Sequence, residues 1–173
     1  MRSALPAAIV VLLFCAVAPA EEISNPAYEA WAKFKPGAST RVIGSTKTMG
    51  METTLEINTK LLEVEADQVT LEVAASITMN GNKMDQPAQK QQVKARVQKA
   101  DVPAPAGEEQ VTINGTTYNC KVYAMTRTQD GTTISAKSWM SDQVPGGVVK
   151  IESRTEGSVV SDTRFELKEY SAG

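Results

Sequence analysis

From Ser39 onward, apolar and polar residues alternate along the chain with a period of two. Met51, Thr53, Leu55, Ile57, Thr59 and Leu61 interleave with Glu52, Thr54, Glu56, Asn58 and Lys60. An extended chain therefore presents the first set on one face and the second on the other. Val69, Leu71, Val73, Ala75, Ile77 and Met79 repeat the pattern after a turn at Glu65-Ala66-Asp67, and Thr40 to Thr48 precedes it through Met49-Gly50. Asn80-Gly81 tolerates the positive φ of a type I′ turn and marks a hairpin end. Asn82 to Ala88 reads as a polar loop and Gln89 to Lys99 as a further strand, whose basic outer face is expected to pair with the acidic faces of its neighbours.

Ahead of Ser39 the period is 3.6. Ala27, Trp31 and Phe34 share one helical face, Asn25 can cap the first turn, Pro26 suits the first helical position, and Pro36-Gly37 ends the segment. This predicts one helix over about residues 25–35, its aromatic face covering part of a sheet. Residues 101–107 contain Pro103 and Pro105, which remove ladder donors, so they form a linker within the domain. Strands then recur at Gln110–Ile113, Thr116–Thr128, Thr132–Met140, Val148–Arg154 and Val159–Tyr170, separated by Gly-containing turns. The expected fold is mainly β, with a curved antiparallel sheet or half-barrel of about eight or nine meandering strands and one N-terminal helix.

Residues 1–20 follow neither period. Arg2, the apolar run Ile9–Val17 and Ala18-Pro19-Ala20 describe a cleaved secretory signal peptide whose apolar core is too short to span a bilayer. The mature chain is expected to begin at Glu21, secreted or periplasmic, as one domain over 21–173. Cys15 follows an apolar stretch as in a lipoprotein, but bulky Phe14 stands where a small residue belongs, so anchoring there is not expected. Of 18 basic and 20 acidic residues only Arg2 lies in the leader. The mature chain thus has 17 and 20, a charge of −3, without the basic excess of a nucleic-acid surface. Cys120 is then the single cysteine and can form no internal disulfide; its phase with Tyr118 and Val122 predicts a small buried side chain.

Histidine is absent, which removes the usual general base, zinc ligand and Ser-His triad. No phosphate-binding glycine loop or calcium loop occurs. Acidic pairs such as Glu63 and Glu65, or Glu108 and Glu109, fit solvated strands and turns. No cofactor, metal or catalytic residue is expected, and the protein reads as a non-enzyme.

The least ordinary stretch is Thr133–Arg154, in which a strand ending at Trp139 leads through the corner Val144-Pro145-Gly146-Gly147 to a strand restarting at Val148. Trp139, Pro145, Gly146, Gly147 and Lys150 could form a rim of aromatic, flexible turn and cation. Met51, Leu55, Val69, Val73 and Ile77 would line the concave sheet beneath it. The competing reading is a hairpin corner whose tryptophan packs over the sheet edge.

The segment Glu109–Cys120, followed by Lys137-Ser138-Trp139 and Val144–Lys150, resembles a pattern in small secreted bacterial proteins of uncharacterised function, planctomycete ones among them, and implies no activity. In architecture alone, a helix feeding an open antiparallel sheet is similar to half-barrel carriers of the LolA and LolB type. The leading expectation is an exported, monomeric binding protein that holds an apolar or amphipathic ligand such as a lipid. The alternative is a structural or protein-interaction component of the cell envelope.

Overall fold

The computed structural model describes residues 21–173, so the expected leader and Cys15 lie outside the described residues. Its strands are β1 (Glu22–Ser24), β2 (Ser39–Thr48), β3 (Met51–Val64), β4 (Gln68–Met79), β5 (Asn82–Asp85), β6 (Gln89–Lys94), β7 (Arg96–Gln98), β8 (Gly107–Ile113), β9 (Thr116–Gln129), β10 (Thr132–Met140), β11 (Val148–Glu156) and β12 (Ser161–Ser171). Ten of them make one curved, open antiparallel sheet in the order β5-β4-β3-β2-β12-β11-β10-β9-β8, with β6 also paired to β4. β1 and β7 form a separate two-stranded ribbon.

Mainly β architecture, the curved sheet and one helix follow the alternation, but the strands outnumber the expected eight or nine. The expected loop after Asn80-Gly81 begins with β5, which turns back onto β4 with Met84 opposite Ile77. The expected strand Gln89–Lys99 divides at Ala95, whose N–H donates to Asp67 O at 2.7 Å. β6 stays on β4, placing Lys90 opposite Glu72, whereas β7 leaves to pair with β1. Short polar strands such as Asn82–Asp85 show little periodicity, so only the cross-strand partner reveals them.

Four hairpins close on two-residue turns in which both residues have positive φ: Met49-Gly50, Asn80-Gly81, Asn114-Gly115 and Asp130-Gly131. Such turns match the twist of the flanking strands. Met49 is the exception in chemistry, since it takes φ +51 where Asn or Asp is usual.

The helix, α1 (Pro26–Ala32), is shorter than the predicted 25–35. Asn25 Oδ1 accepts the Ala27 N–H at 3.0 Å, and Asn25 Nδ2 donates to Lys94 O at 2.7 Å, so the cap also ties the helix to β6. Tyr28 donates from its hydroxyl to Glu65 O in the β3–β4 turn at 2.8 Å. Trp31 is buried with Ala38, Leu61, Val69 and Leu71, and Phe34, Val64 and Val93 pack around them.

A second core gathers around Trp139. Directly opposed residues in antiparallel strands project to the same side. Trp139 therefore shares a face with Val122 and Lys150, and through Lys150 with Glu166, Ile43 and Glu56. Ser138, by contrast, shares the helix-side face with Ile151, Phe165, Gly44 and Leu55. Trp139 packs with Ile113, Tyr118, Cys120, Val122, Val144, Val149 and Leu167. The β8–β9 hairpin folds back toward β12, where Asn114 Nδ2 donates to Lys168 O at 3.0 Å and Tyr118 meets Tyr170 edge to face, 6.5 Å between ring centres.

Candidate functional site

Beneath the helix, the β2-β3-β4 half of the sheet leaves an apolar hollow of about 350 Å³. Val42, Ile57, Leu71, Val73, Ile151 and Phe165 form its floor, Trp31 its roof, and Pro145, Gly146 and Val148 one wall. Thr40, Thr59 and Gln91 are its polar members, and none of the lining side chains is charged. The floor follows from the alternation of β2, β3, β4, β11 and β12, since Val42 faces Ile57 and Phe165 faces both Gly44 and Ile151.

Gly44 allows this packing. A Cβ there would lie 2.2 Å from Phe165 Cδ1, so the phenyl ring rests on bare backbone across the strand pair. Gly in a strand interior often marks such a close approach.

The wall comes from the Val144-Pro145-Gly146-Gly147 corner. Gly146 N–H donates to Ala30 O at 3.0 Å, and a Cβ on Gly146 would sit 2.6 Å from Trp31 Cζ2. Val144 N–H donates to Ser141 O at 3.3 Å and Gly147 N–H to Val144 O at 2.8 Å, closing the corner on itself. The corner is therefore a clamp on the helix.

Toward the hairpin ends remote from the helix, the same face is uncovered. Leu55 lies opposite Ile77, and Ile77 opposite Met84; Met51 and Met79 continue the strip. Among the described residues, eight of the nine exposed large apolar side chains fall in this half of the molecule, Met49, Val159 and Val160 at or beside turns among them, and Tyr170 lies elsewhere. Along β3, β4 and β5 this strip extends the hollow into an open apolar track.

The ten residues singled out from the sequence are divided by the sheet. Val73, Pro145 and Gly146 line the hollow. Val69 is fully buried under the helix and does not line the hollow. Leu55, Ile77 and Met51 share the face but lie further along it. Gly147 packs behind the corner near Met140. Trp139 and Lys150 are on the opposite face, so the expected aromatic and cationic rim does not border the hollow. Trp31, Val42, Ile57, Ile151 and Phe165 line it and were not singled out. The sign that could have pointed to Phe165 is Gly44, an isolated glycine inside a strand.

Trp139 is built into the core. Two ammonium groups, Lys137 Nζ and Lys150 Nζ, each stand over its ring 4.6 Å from the centroid. Trp139 Nε1 donates to Glu109 Oε2 at 2.7 Å, and Lys137 donates to Glu109 Oε1 at 2.8 Å. The Lys137 ammonium first, and then the indole N–H, hold the Glu109 carboxyl below the usual carboxylate range. Lys150 also pairs with Glu152 at 2.7 Å. Beneath them Cys120 is buried, its thiol pushed up mainly by burial. Among the described residues, no group of three or more Cys, Asp or Glu side chains could hold a metal ion.

No family model matches the chain, and no curated protein matches it in sequence. Among solved structures, it is similar to the S-type phycobiliprotein lyase CPES from Guillardia theta, with TM-score 0.36 and 9% identity over 79% of this chain and 89% of that one. It is also similar to a DUF1329 family protein from Desulfovibrio piger, with TM-score 0.24 and 10% identity over 79% and 85% of the two chains. Neither likeness is close enough to transfer a property to this chain.

Proposed function

We propose that this is an exported, non-enzymatic binding protein that holds an apolar or amphipathic ligand, a lipid in first place, on the helix-side face of its sheet. One observation carries the reading: a hollow of about 350 Å³ with an uncharged lining opens onto an uncovered apolar strip. The volume lies in the range of small-molecule sites, and such sites are mostly apolar with a few polar groups. The chain's end would sit beneath Trp31 and the remainder along Leu55, Ile77 and Met84. Export and loss of residues 1–20 belong to the same proposal, and the intact mass of protein from its own host tests them by locating the mature N-terminus.

Binding is tested by native mass spectrometry of the same material and by titration with the apolar dye N-phenyl-1-naphthylamine. A co-purified lipid, and a dye signal lost in Val73→Asp, support the reading. A ligand-free mass together with no dye binding would sink it. A second reading is a cell-envelope protein docked to a protein neighbour, favoured by the exposed apolar side chains at the hairpin ends. Crosslinking in whole cells that returns one reproducible protein neighbour, with no lipid bound, would select it.

A further inference from the structure

The helix-side face carries a band of hydroxyls between the hollow and the hairpin ends. Register aligns Thr53, Thr46, Thr163 and Ser153 in one row across β3, β2, β12 and β11, and Thr48, Ser161 and Thr155 in the next. Thr46 and Thr163 hydrogen-bond at 3.0 Å, and Thr48 donates to Ser161 at 3.1 Å. Each hydroxyl has one donor and two acceptor sites, so a bonded pair keeps capacity for an incoming group. All seven side chains are half-buried, sheltered yet reachable.

Charge is partitioned between the two faces. Arg41, Lys47, Glu52, Glu56, Asp162 and Arg164 alternate with the band and the floor, and all project to the Trp139 face. Along the band and the floor of β2, β3, β11 and β12 the helix-side face carries no charged side chain among the described residues. Arg127 stands at its far corner opposite Ile134, its guanidinium on Gln129 Oε1 at 2.7 Å.

The rows also set a distance. From Ile57 on the floor of the hollow to Thr53 in the hydroxyl row is four residues of β3, or about 13 Å at roughly 3.3 Å per residue. That is within the ~15 Å occupied by one leaflet of a bilayer's hydrocarbon, so a membrane-length tail that ends beneath Trp31 places its head at the band.

We infer that the ligand class is an uncharged amphiphile with a hydroxyl-bearing head, of the monoacylglycerol or glycolipid kind, whose head lies on the Thr46–Thr163 band. This rests on the reading of the hollow as a tail site. A carboxylate or phosphate head would face side chains that offer it no counter-charge, and an unpaired charge set against such a surface is penalised more than a neutral hydroxyl.

The test is displacement of bound N-phenyl-1-naphthylamine from the full chain by 1-monopalmitoylglycerol and by palmitate at a pH where palmitate is ionised. The monoacylglycerol is expected to displace dye at a concentration at least about tenfold lower, the factor given by roughly one or two neutral hydrogen bonds. The double variant Thr46→Val/Thr163→Val should bind dye as the wild type does and lose that preference. Equal or stronger displacement by palmitate overturns the inference and leaves the tail site standing, as does a preference that survives in a folded double variant. Failure of the dye to bind protein whose native mass is ligand-free overturns both. Should the double variant not fold, the wild-type ratio decides alone.

Discussion

The indole of Trp31 lies on the bare backbone of Gly146, close enough that a Cβ on the glycine would be 2.6 Å from Trp31 Cζ2. Gly146 also has φ +72 and donates its N–H to Ala30 O. Helix and corner are therefore joined by one residue that must lack a side chain. Through that joint the corner becomes a wall of the hollow.

Gly146→Ala is expected to lower stability through both backbone strain and overpacking, each of order 1–3 kcal/mol. Gly131→Ala is the matched control, because Gly131 has φ +74 with nothing within 4 Å of its added Cβ. Urea denaturation of the two variants checks this: the Gly146 variant should lose clearly more. Equal losses would mean that the indole yields without cost.

Gly44→Ala drives a methyl group into the ring of Phe165. A loss of about 1–3 kcal/mol is expected from overpacking, together with weaker dye binding as the ring moves into the hollow. Combining it with Phe165→Ala should cost less than the two single changes added, because the clash is removed with the ring. Additive losses in the double-mutant cycle would place the ring elsewhere.

Trp139→Ala should destabilise the fold by about 3–5 kcal/mol, the usual range for a buried aromatic. Trp139→Phe, which keeps the ring but not the N–H, should fold and bind dye as the wild type does, because residue 139 lies on the face away from the hollow. Reduced dye affinity in a folded Trp139→Phe variant would return Trp139 to the site.

Glu109 supplies an acid-sensitive contribution. Its folded value lies below the ordinary 4.5, first through Lys137 and then through Trp139. The unfolded chain therefore takes up the proton at higher pH than the folded one. The contribution is full above about pH 4.5 and fades as pH falls through the lower folded value. Glu109→Gln should show a lower melting midpoint than wild type at neutral pH, with the difference shrinking below about pH 4.5. A difference that stays constant into acid would rule out the carboxylate as its source.

Cys120 should resist thiol reagents in the folded protein, since burial both excludes the reagent and disfavours the thiolate. Ellman's reagent at mildly alkaline pH is expected to react only after denaturant is added. Prompt labelling of native protein would contradict the packing around Tyr118 and Val122.

Local chemistry in the sequence was enough to determine the strands of β3 and β4, the two-residue turns at Asn80-Gly81, Asn114-Gly115 and Asp130-Gly131, the Asn25 cap and the burial of Cys120. Each of these depends on residues within a few positions of one another, where periodicity and φ preference act. The same alternation correctly divided apolar from polar residues along β3 and β4. What it could not supply was the sense of one strand's face relative to another's. Trp139 and Leu55 are both apolar strand residues, yet register across β10, β11, β12, β2 and β3 puts them on opposite sides of one sheet. A shift of one residue in any of those pairings would reverse the relation. Only the assembled sheet therefore decided that Trp139 belongs to a core, that Phe165 lies on Gly44, and that the corner at Gly146 meets Trp31 more than a hundred residues away.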